Sequence, residues 1–156
     1  MVYLIGVNHL VQYDAPSVKI VREERVAFRT HVLETIQKFN ISLLAEEFSE
    51  EAKMKWGVRE SILEKLGKDK GIEHRFCEPT PIERKENGIE QSDGDKREQF
   101  WLSRIEDCKN RNVLFVCGNE HVESFRKKLI TVGFVVEHES KWWCNFSSRE
   151  LFFSDP

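Results

Sequence analysis

The sequence predicts an α/β fold, with a three-layer, mostly parallel five-stranded sheet and helices on both of its faces. Short apolar runs alternate along the chain with longer segments in which apolar residues recur at helical spacing. Alternation of this kind builds right-handed crossover units and therefore a parallel sheet. The most economical strand order is 3-2-1-4-5, which places strands one and four side by side at the point where the chain reverses direction.

Length and composition limit the class of protein. The 156 residues are expected to form a single α/β domain, residues 1–156. The net charge of −3 gives no broad basic surface, so no nucleic-acid partner is expected. The sequence has neither a recognisable signal peptide nor a run long enough to span a membrane, so we expect a cytoplasmic protein with no membrane partner. The four widely spaced cysteines are then expected to be free thiols.

The first half of the chain contains three predicted strands and two predicted helices. Strands are predicted at 2–7, 41–45 and 72–77, and helices at 17–39 and from Ser49 to a stop at Gly67. Acidic residues follow the second and third strands: Glu46, Glu47 and Glu78. These carboxylates are expected at the carboxyl edge of the sheet.

The second half adds two strands, two helices and two irregular segments. The polar segment 83–96 contains two turn dipeptides and is predicted to be a loop of the lid or disordered kind. A helix opens at Arg97, strand four covers 113–117, a helix covers 120–131 and strand five covers 134–136. The tail, 141–156, is rich in aromatic residues, so we expect it to pack on the domain or on a second copy of the chain as a homo-oligomer.

Two copies of the pattern Gly-x-x-His, at 6–9 and 118–121, follow strands one and four. The glycines are expected to let the chain turn sharply as it leaves each strand. Each histidine then lies just past the carboxyl end of a strand, where open α/β sheets bind their ligands. We therefore expect His9 and His121 to face each other across one crevice.

Imidazoles and carboxylates at one edge of a sheet suit a divalent metal such as Mn²⁺, Zn²⁺, Co²⁺ or Fe²⁺. We predict that His9, His121 and Glu46 bind it. Metal-bound water is a nucleophile near neutral pH, and a carboxylate that does not bind the metal, such as Glu78, can act as a general base. Glu46 and Glu78 are therefore predicted catalytic residues.

Simpler interpretations remain open for each residue. Glu46 and Glu47 can be solvated charges that open a helix, and Glu78 can mark a strand end. Arg97 and Glu98 can be surface charges in a first helical turn, an interpretation that suits Glu98 well. The other histidines are expected to be structural or to lie away from the crevice: His31, His74 and His138.

Five segments in order resemble the TIKI/TraB superfamily, which is grouped with erythromycin esterase-like and haem-binding ChaN-like proteins. They are G-V-N-H after strand one, L-L-A-E-E on strand two, the acidic end of strand three, R-E-Q-F-W at a helix start and G-N-E-H-V after strand four. The resemblance covers about residues 1–125, and the order of these motifs is its specific part. Family members are usually longer, and their arginine motif is more often followed by Asp than by Glu98.

The resemblance implies a divalent-metal-dependent hydrolase acting on a small-molecule or peptide substrate. His9 and His121 match the paired histidines, and Glu46 matches the strand-two acid, with Glu47 as its neighbouring rival. Arg97 matches the arginine, which would act in catalysis by stabilising an oxyanion or would bind a substrate anion. Substrate-binding roles are expected for Arg97, Asn119 and Glu47.

Two further hypotheses remain. The same crevice can belong to a non-catalytic sensor that binds a small anion, a nucleotide or haem, since helix N-termini and Arg97 suit an anion. The sequence has no phosphate-loop or dinucleotide glycine pattern, which favours the hydrolase. The chain can also be an interaction protein that uses its aromatic tail as the contact surface.

Overall fold

A computed structural model describes residues 1–12 and 22–139 of the chain, with a five-stranded sheet between two layers of helices. The strands are β1 (Val2–Val7), β2 (Leu43–Glu46), β3 (Glu73–Phe76), β4 (Val113–Gly118) and β5 (Val136–Glu139). The helices are α1 (Arg22–Phe39), α2 (Glu50–Trp56), α3 (Ile62–Lys70), α4 (Pro81–Asn87), α5 (Gly94–Ile105) and α6 (Val122–Thr131). Short 3-10 turns cover His9–Val11, Glu106–Cys108 and Asn119–His121.

All strand pairs in the sheet are parallel, which confirms the predicted α/β class. The strand order is β3-β2-β4-β1-β5, so the predicted order 3-2-1-4-5 is wrong at its centre. β4, not β1, lies beside β2, and β5 pairs with β1. Strands β1 and β4 are both apolar and almost entirely buried, so their sequences do not indicate which of them neighbours β2.

The exchange of the two central strands has a direct consequence for the carboxyl edge. β1 and β4 remain neighbours, with Val7 opposite Gly118, so the segments that follow them leave the sheet together. β4 also pairs with β2, which places Glu46 opposite Val116. The ends of β1, β4 and β2 therefore lie in a row, with β4 in the middle.

The two faces of the sheet carry separate hydrophobic cores, as the alternation of side chains along a strand requires. One core joins alternate strand residues to Trp101 of α5 and Phe125 of α6, both fully buried. The other joins the intervening strand residues to Phe28 of α1 and Leu63 of α3. Helices α5 and α6 thus cover one face, and α1 and α3 the opposite face.

Two predictions about helices are wrong for local reasons. The predicted helix from Ser49 to Gly67 is two helices, because α2 ends at Gly57, which has φ of 64°. Gly67 lies inside α3, where a Cβ would meet the backbone oxygen of Ile72 at 2.9 Å, and α3 ends instead at Gly71 with φ of 66°. Gly67 thus permits close packing and does not end a helix.

The segment 83–96 is mostly helical, so the loop prediction is also wrong. Thr80 caps α4 by accepting from the backbone N–H of Glu83, whose side chain accepts in return from the Thr80 N–H. Asp93 caps α5 by accepting from the N–H of Lys96. Only residues 88–93 connect the two helices, and polar composition alone did not reveal these caps.

Several predictions concern residues outside the two described ranges, 1–12 and 22–139. The start of the predicted first helix, 17–21, and the aromatic tail with its expected homo-oligomer lie there. Within the described ranges, Cys77, Cys108 and Cys117 are free, as expected, and all three are buried. In the same ranges, the helices are too short or too polar to span a membrane.

Candidate functional site

Three side chains from three adjacent strand ends meet at the carboxyl edge of the sheet. His9 follows β1 and opens a 3-10 turn capped by Asn8, and His121 ends the 3-10 turn between β4 and α6. Glu47 follows β2, and its backbone N–H donates to the carbonyl of Val116 at 2.8 Å. The fold thus brings together residues that are more than a hundred positions apart in the chain.

The two histidines approach the same carboxylate. Nε2 of His9 lies 3.6 Å from Oε2 of Glu47, and Nε2 of His121 lies 3.8 Å from Oε1. The Glu47 side chain is 4% exposed, that of His121 is 11% exposed and that of His9 is 37% exposed. The two predicted histidines therefore meet at one carboxylate, and His9 is the more exposed of the two. We call the space between the two rings and Glu47 the crevice.

Of the two adjacent glutamates, Glu47 and not Glu46 lies at this crevice. Side chains alternate along β2, so Glu46 lies on the face covered by α1 and α3, whereas Glu47 faces the α5–α6 layer. The Glu46 carboxylate is fully buried, and Ser61 and His74 bond to its Oε1. The expected grouping of Glu46 with the two histidines is therefore corrected in favour of its neighbour.

His74, which we expected to lie away from the site residues, contacts one of them. Its Nε2 lies 2.8 Å from Oε1 of Glu46, across the pairing of β3 with β2. The other Glu46 oxygen lies 3.3 Å from Nε2 of Gln12. Glu46 thus has a hydrogen-bonding environment of its own, behind the crevice.

The glycines of the two Gly-x-x-His patterns provide space for close approach. Gly118 has φ of −57°, a value open to any residue, so the expected role in a sharp turn is wrong. A Cβ at Gly118 would lie 2.9 Å from Nε2 of His9 and 3.0 Å from Oε1 of Glu120. A Cβ at Gly6 would lie 2.4 Å from Cγ2 of Val122. Because neither glycine has a side chain, neighbouring side chains can lie close to the backbone at both positions.

Each histidine has its Nδ1 atom next to an oxygen acceptor. Nδ1 of His121 lies 2.8 Å from Oε1 of Glu98, and Nδ1 of His9 lies 2.7 Å from Oε1 of Gln12. An oxygen acceptor at this distance requires the proton on Nδ1. In the neutral ring, the lone pair is then on Nε2, directed at Glu47. Histidines that bind metals are held in the same way, with the second nitrogen donating to a protein oxygen.

Glu98 is buried at the site, so its interpretation as a surface charge is wrong. Besides His121 it accepts from Ser124 Oγ at 2.6 Å and Lys128 Nζ at 2.8 Å, and it is 2% exposed. Burial raises the pKa of Glu98, but its three donors outweigh burial and hold the pKa below 4.5. Burial lowers the pKa of His121, but the bond to Glu98 and the charge of Glu47 bring it above 6.5.

Arg97 and Glu78 hold Glu47 in place. The Arg97 guanidinium bonds to both oxygens of Glu78, with Nε at 2.9 Å from Oε1 and Nη2 at 3.0 Å from Oε2. Nη2 also contacts Oε1 of Glu47, and the indole N–H of Trp101 donates to Glu78 at 2.9 Å. Burial lowers the pKa of Arg97, but Glu78 and Glu47 outweigh it, so the pKa is raised and the charge is secure. Arg97 and Glu78, two of the three predicted catalytic residues, therefore bind other side chains of the protein.

Asn119, a predicted substrate-binding residue, is turned towards β1. Its Oδ1 is buried and, within the described part of the chain, without a hydrogen-bond partner, and it lies 2.8 Å from the Cβ position of Gly6. Glu120, the next residue, is exposed beside His9 and Gly118. A groove of about 500 Å³ between α5 and α6 includes Glu120, Ser124 and Lys128 in its lining.

The donor set suits a divalent metal in chemical type. Two imidazole nitrogens and a carboxylate are ligands that Mn²⁺, Zn²⁺, Co²⁺ and Fe²⁺ accept. Their spacing, however, is that of ion pairs, and residues 1–12 and 22–139 contain no group of three or more His, Cys, Asp or Glu arranged to hold a metal ion. The cation that contacts Glu47 in this structure is the guanidinium of Arg97.

Sequence reasoning missed three residues of the site: Gln12, Glu98 and Glu120. Gln12 lies three positions after His9, the spacing at which a turn brings side chains together, and Glu120 lies inside the second Gly-x-x-His pattern. Both residues could therefore have been identified from the sequence. Glu98 reaches His121 only because α5 packs beside α6, which no local pattern indicates.

Comparison of the chain with protein-family models finds no match, and comparisons with curated proteins and with solved structures find no significant match.

Proposed function

We propose that the protein is a divalent-metal-dependent hydrolase in which His9, His121 and Glu47 bind the metal. The observation that carries the proposal is the convergence of two Nε2 atoms on the two oxygens of one buried carboxylate. The order of the sequence motifs, which resembles that of the TIKI/TraB superfamily, supports the same class.

The hydrogen-bond donors and acceptors around Glu47 also favour a cation bound between the two histidines and this carboxylate. In the neutral form of both rings, with the protons on Nδ1, the Nε2 atoms of His9 and His121 and the oxygens of Glu47 are all acceptors. Acceptors crowded together are stable only with a proton or a cation between them. The guanidinium of Arg97 supplies one such positive charge at Oε1 of Glu47. The other oxygen, Oε2, faces His9, which is the more exposed of the two histidines.

A bound metal would lower the pKa of a coordinated water so that it attacks an ester, peptide or phosphoester bond. Around it, this chain's own residues orient the ligands. Glu98 holds His121 by its Nδ1, and Arg97 and the Gly118 N–H hold the two oxygens of Glu47. The groove between α5 and α6 gives a small-molecule or peptide substrate a place beside Glu120.

The sensor hypothesis receives less support from the geometry. Arg97, the residue expected to bind an anion, uses its Nε and Nη2 groups on Glu78 and Glu47. The charges of Arg97 and Lys128 are paired with the carboxylates of Glu47, Glu78 and Glu98, so an anionic ligand would have to compete with these ion pairs.

Metal titration of the protein after treatment with a chelator tests the proposal. We expect Mn²⁺, Zn²⁺, Co²⁺ or Fe²⁺ to bind with one equivalent per chain in calorimetry, and Co²⁺ to give a visible absorption band. Binding should be lost in His9→Ala, His121→Ala and Glu47→Gln. His138→Ala removes an exposed histidine on β5 and serves as the matched control, which should bind normally.

Hydrolysis of generic ester, peptide and phosphoester substrates completes the test. The loaded protein should hydrolyse one of these classes, and the three ligand variants should not. Equal metal uptake by all four variants, or none by the wild-type protein, would exclude the proposal.

A further inference from the structure

We infer that Glu46 and Gln12 are positioning residues that determine which ring nitrogen of His9 carries the proton. The inference rests on the proposed function only for its effect on metal binding. The tautomer itself is a property of the metal-free protein and can be measured there.

Four side chains form one continuous line behind the crevice. Nε2 of His74 lies 2.8 Å from Oε1 of Glu46, and Oε2 of Glu46 lies 3.3 Å from Nε2 of Gln12. Oε1 of Gln12 then lies 2.7 Å from Nδ1 of His9, whose Nε2 faces Glu47. The line connects the outer strand β3 with the crevice.

The Glu46 carboxylate dictates the orientation of the Gln12 amide. A carboxylate only accepts hydrogen bonds, so Gln12 must turn its NH₂ group towards Glu46 and its oxygen towards His9. That oxygen in turn only accepts, so Nδ1 of His9 must carry the proton. The lone pair of His9 is therefore fixed on Nε2, which is the atom that faces the crevice.

Burial and backbone contacts prevent the line from rearranging. Glu46 and Gln12 are both fully buried. The backbone carbonyl of Gln12 accepts from the N–H of Ile62, and the Ser61 hydroxyl donates to Glu46 while it caps the same helix, α3. Because water is excluded, a hydrogen bond lost here is not replaced by solvent.

Replacing Glu46 by glutamine should reverse the tautomer. Ser61 and His74 both bond to Oε1 of Glu46, so the new amide keeps its oxygen there and turns its NH₂ towards Gln12. Gln12 must then present its oxygen to that NH₂ and its own NH₂ to His9. Nδ1 of His9 becomes an acceptor, and the proton moves to Nε2, which blocks the lone pair that faces Glu47.

A second substitution should restore the original tautomer. In the double variant Glu46→Gln/Gln12→Glu, the carboxylate at position 12 accepts from the amide at position 46 and from Nδ1 of His9. Both substitutions preserve side-chain size, and the pair exchanges one acid for one amide without changing the net charge. Rescue by the double variant separates an effect on the tautomer from a general loss of packing.

The tautomer is read directly by NMR of protein labelled with ¹⁵N-histidine, in the absence of metal. We expect the Nδ1–H form of His9 in the wild type and the double variant, and the Nε2–H form in Glu46→Gln. Gln12→Met, which removes both polar groups of the amide, should give a mixture. Glu123→Gln, at an exposed glutamate of α6, is the control and should match the wild type.

Metal binding by the same proteins gives the second readout. Residues that orient metal ligands typically change affinity 10–100-fold, and we expect Glu46→Gln to weaken binding by that factor and the double variant to regain it. If His9 keeps the Nδ1–H form in Glu46→Gln, the inference is wrong. If the tautomer reverses but no variant or wild-type protein binds metal, the inference stands and the proposed function fails.

Discussion

The carboxylate of Glu47 accepts a hydrogen bond of 2.7 Å from the backbone N–H of Gly118, which ties the end of β2 to the end of β4. This contact exists because β4 lies between β1 and β2 in the sheet. It places Glu47 where both histidines reach it, and it makes Gly118 a point of close approach for His9.

The first prediction concerns the space that Gly118 leaves. In Gly118→Ala the new Cβ would lie 2.9 Å from Nε2 of His9, so His9 must leave its present position beside Glu47. The backbone conformation suits alanine, and we expect the free energy of unfolding to fall by only about 1 kcal/mol. Metal affinity should fall at least about tenfold, as measured by calorimetry.

Gly57→Ala is the control for that variant. Gly57 has a positive φ, so alanine there costs about 1 kcal/mol of stability through backbone strain, at a position with open space around it. Metal affinity should be unchanged. Comparable weakening of metal binding in both variants would show that Gly118 acts only through stability.

Removal of the Glu98 side chain should destabilise the protein strongly. Glu98→Ala leaves the buried Nδ1 of His121 without its acceptor and takes one partner from Lys128, which keeps Asp95. We expect a loss of about 3 kcal/mol in the free energy of unfolding, at the lower end of the range for breaking a buried ion pair. Glu98→Gln should lose less, because the amide oxygen can still accept. Urea unfolding measures both, and equal losses in the two variants would contradict this account.

The pH dependence of stability should show the contribution of Glu64. This buried carboxylate accepts from Lys53 Nζ at 2.8 Å and from Lys68 Nζ at 2.9 Å. Burial raises the pKa of Glu64, but the bonds from Lys53 and Lys68 outweigh it and hold the pKa below 4.5. A lowered carboxyl pKa stabilises the folded state above pH 4.5, and this stabilisation is lost as the pH falls through the folded-state value.

Comparison of the wild type with Glu64→Gln isolates this effect. At pH 7 we expect the variant to be less stable by about 1.5–3 kcal/mol, the range for hydrogen bonds to charged groups. The difference should shrink below pH 4, as urea unfolding across the pH range would show. Glu34→Gln, at an exposed position on α1, should differ little from the wild type at any pH. A difference for Glu64→Gln that stays constant with pH would refute the prediction.

Replacing Arg97 by lysine should lower the stability of the protein. Its guanidinium bonds to both oxygens of Glu78 and to Glu47, and the single ammonium group of lysine lacks the planar fork needed to bind both carboxylates. Since lysine keeps the charge, we expect Arg97→Lys to cost about 2 kcal/mol, less than the 3–5 kcal/mol for removing one partner of a buried pair. Arg84→Lys, at a longer 3.4 Å contact with Glu78, is the control and should cost little by thermal or urea unfolding.

Alternation within β2 explains why part of the site was predictable. The sequence correctly indicated that Glu46 and Glu47 end a buried strand beside the histidines. Which of them reaches the crevice depends on which face of the sheet carries α5 and α6, and that is set by the handedness and order of the crossovers. Glu98 was misjudged because a charged residue in a first helical turn is usually exposed, and here α6 covers it.

The sequence by itself determined the parallel α/β class, the buried strands β1 and β4, and the placement of both Gly-x-x-His patterns at their ends, because apolar periodicity and turn residues act over a few neighbouring positions. Tertiary structure alone decided that β4 lies beside β2, that Glu47 replaces Glu46 at the crevice, and that Glu98 holds the imidazole of His121. These outcomes depend on how strands and helices that are distant in the chain pack together. Several arrangements bury the same apolar surface, and only the complete set of contacts selects one.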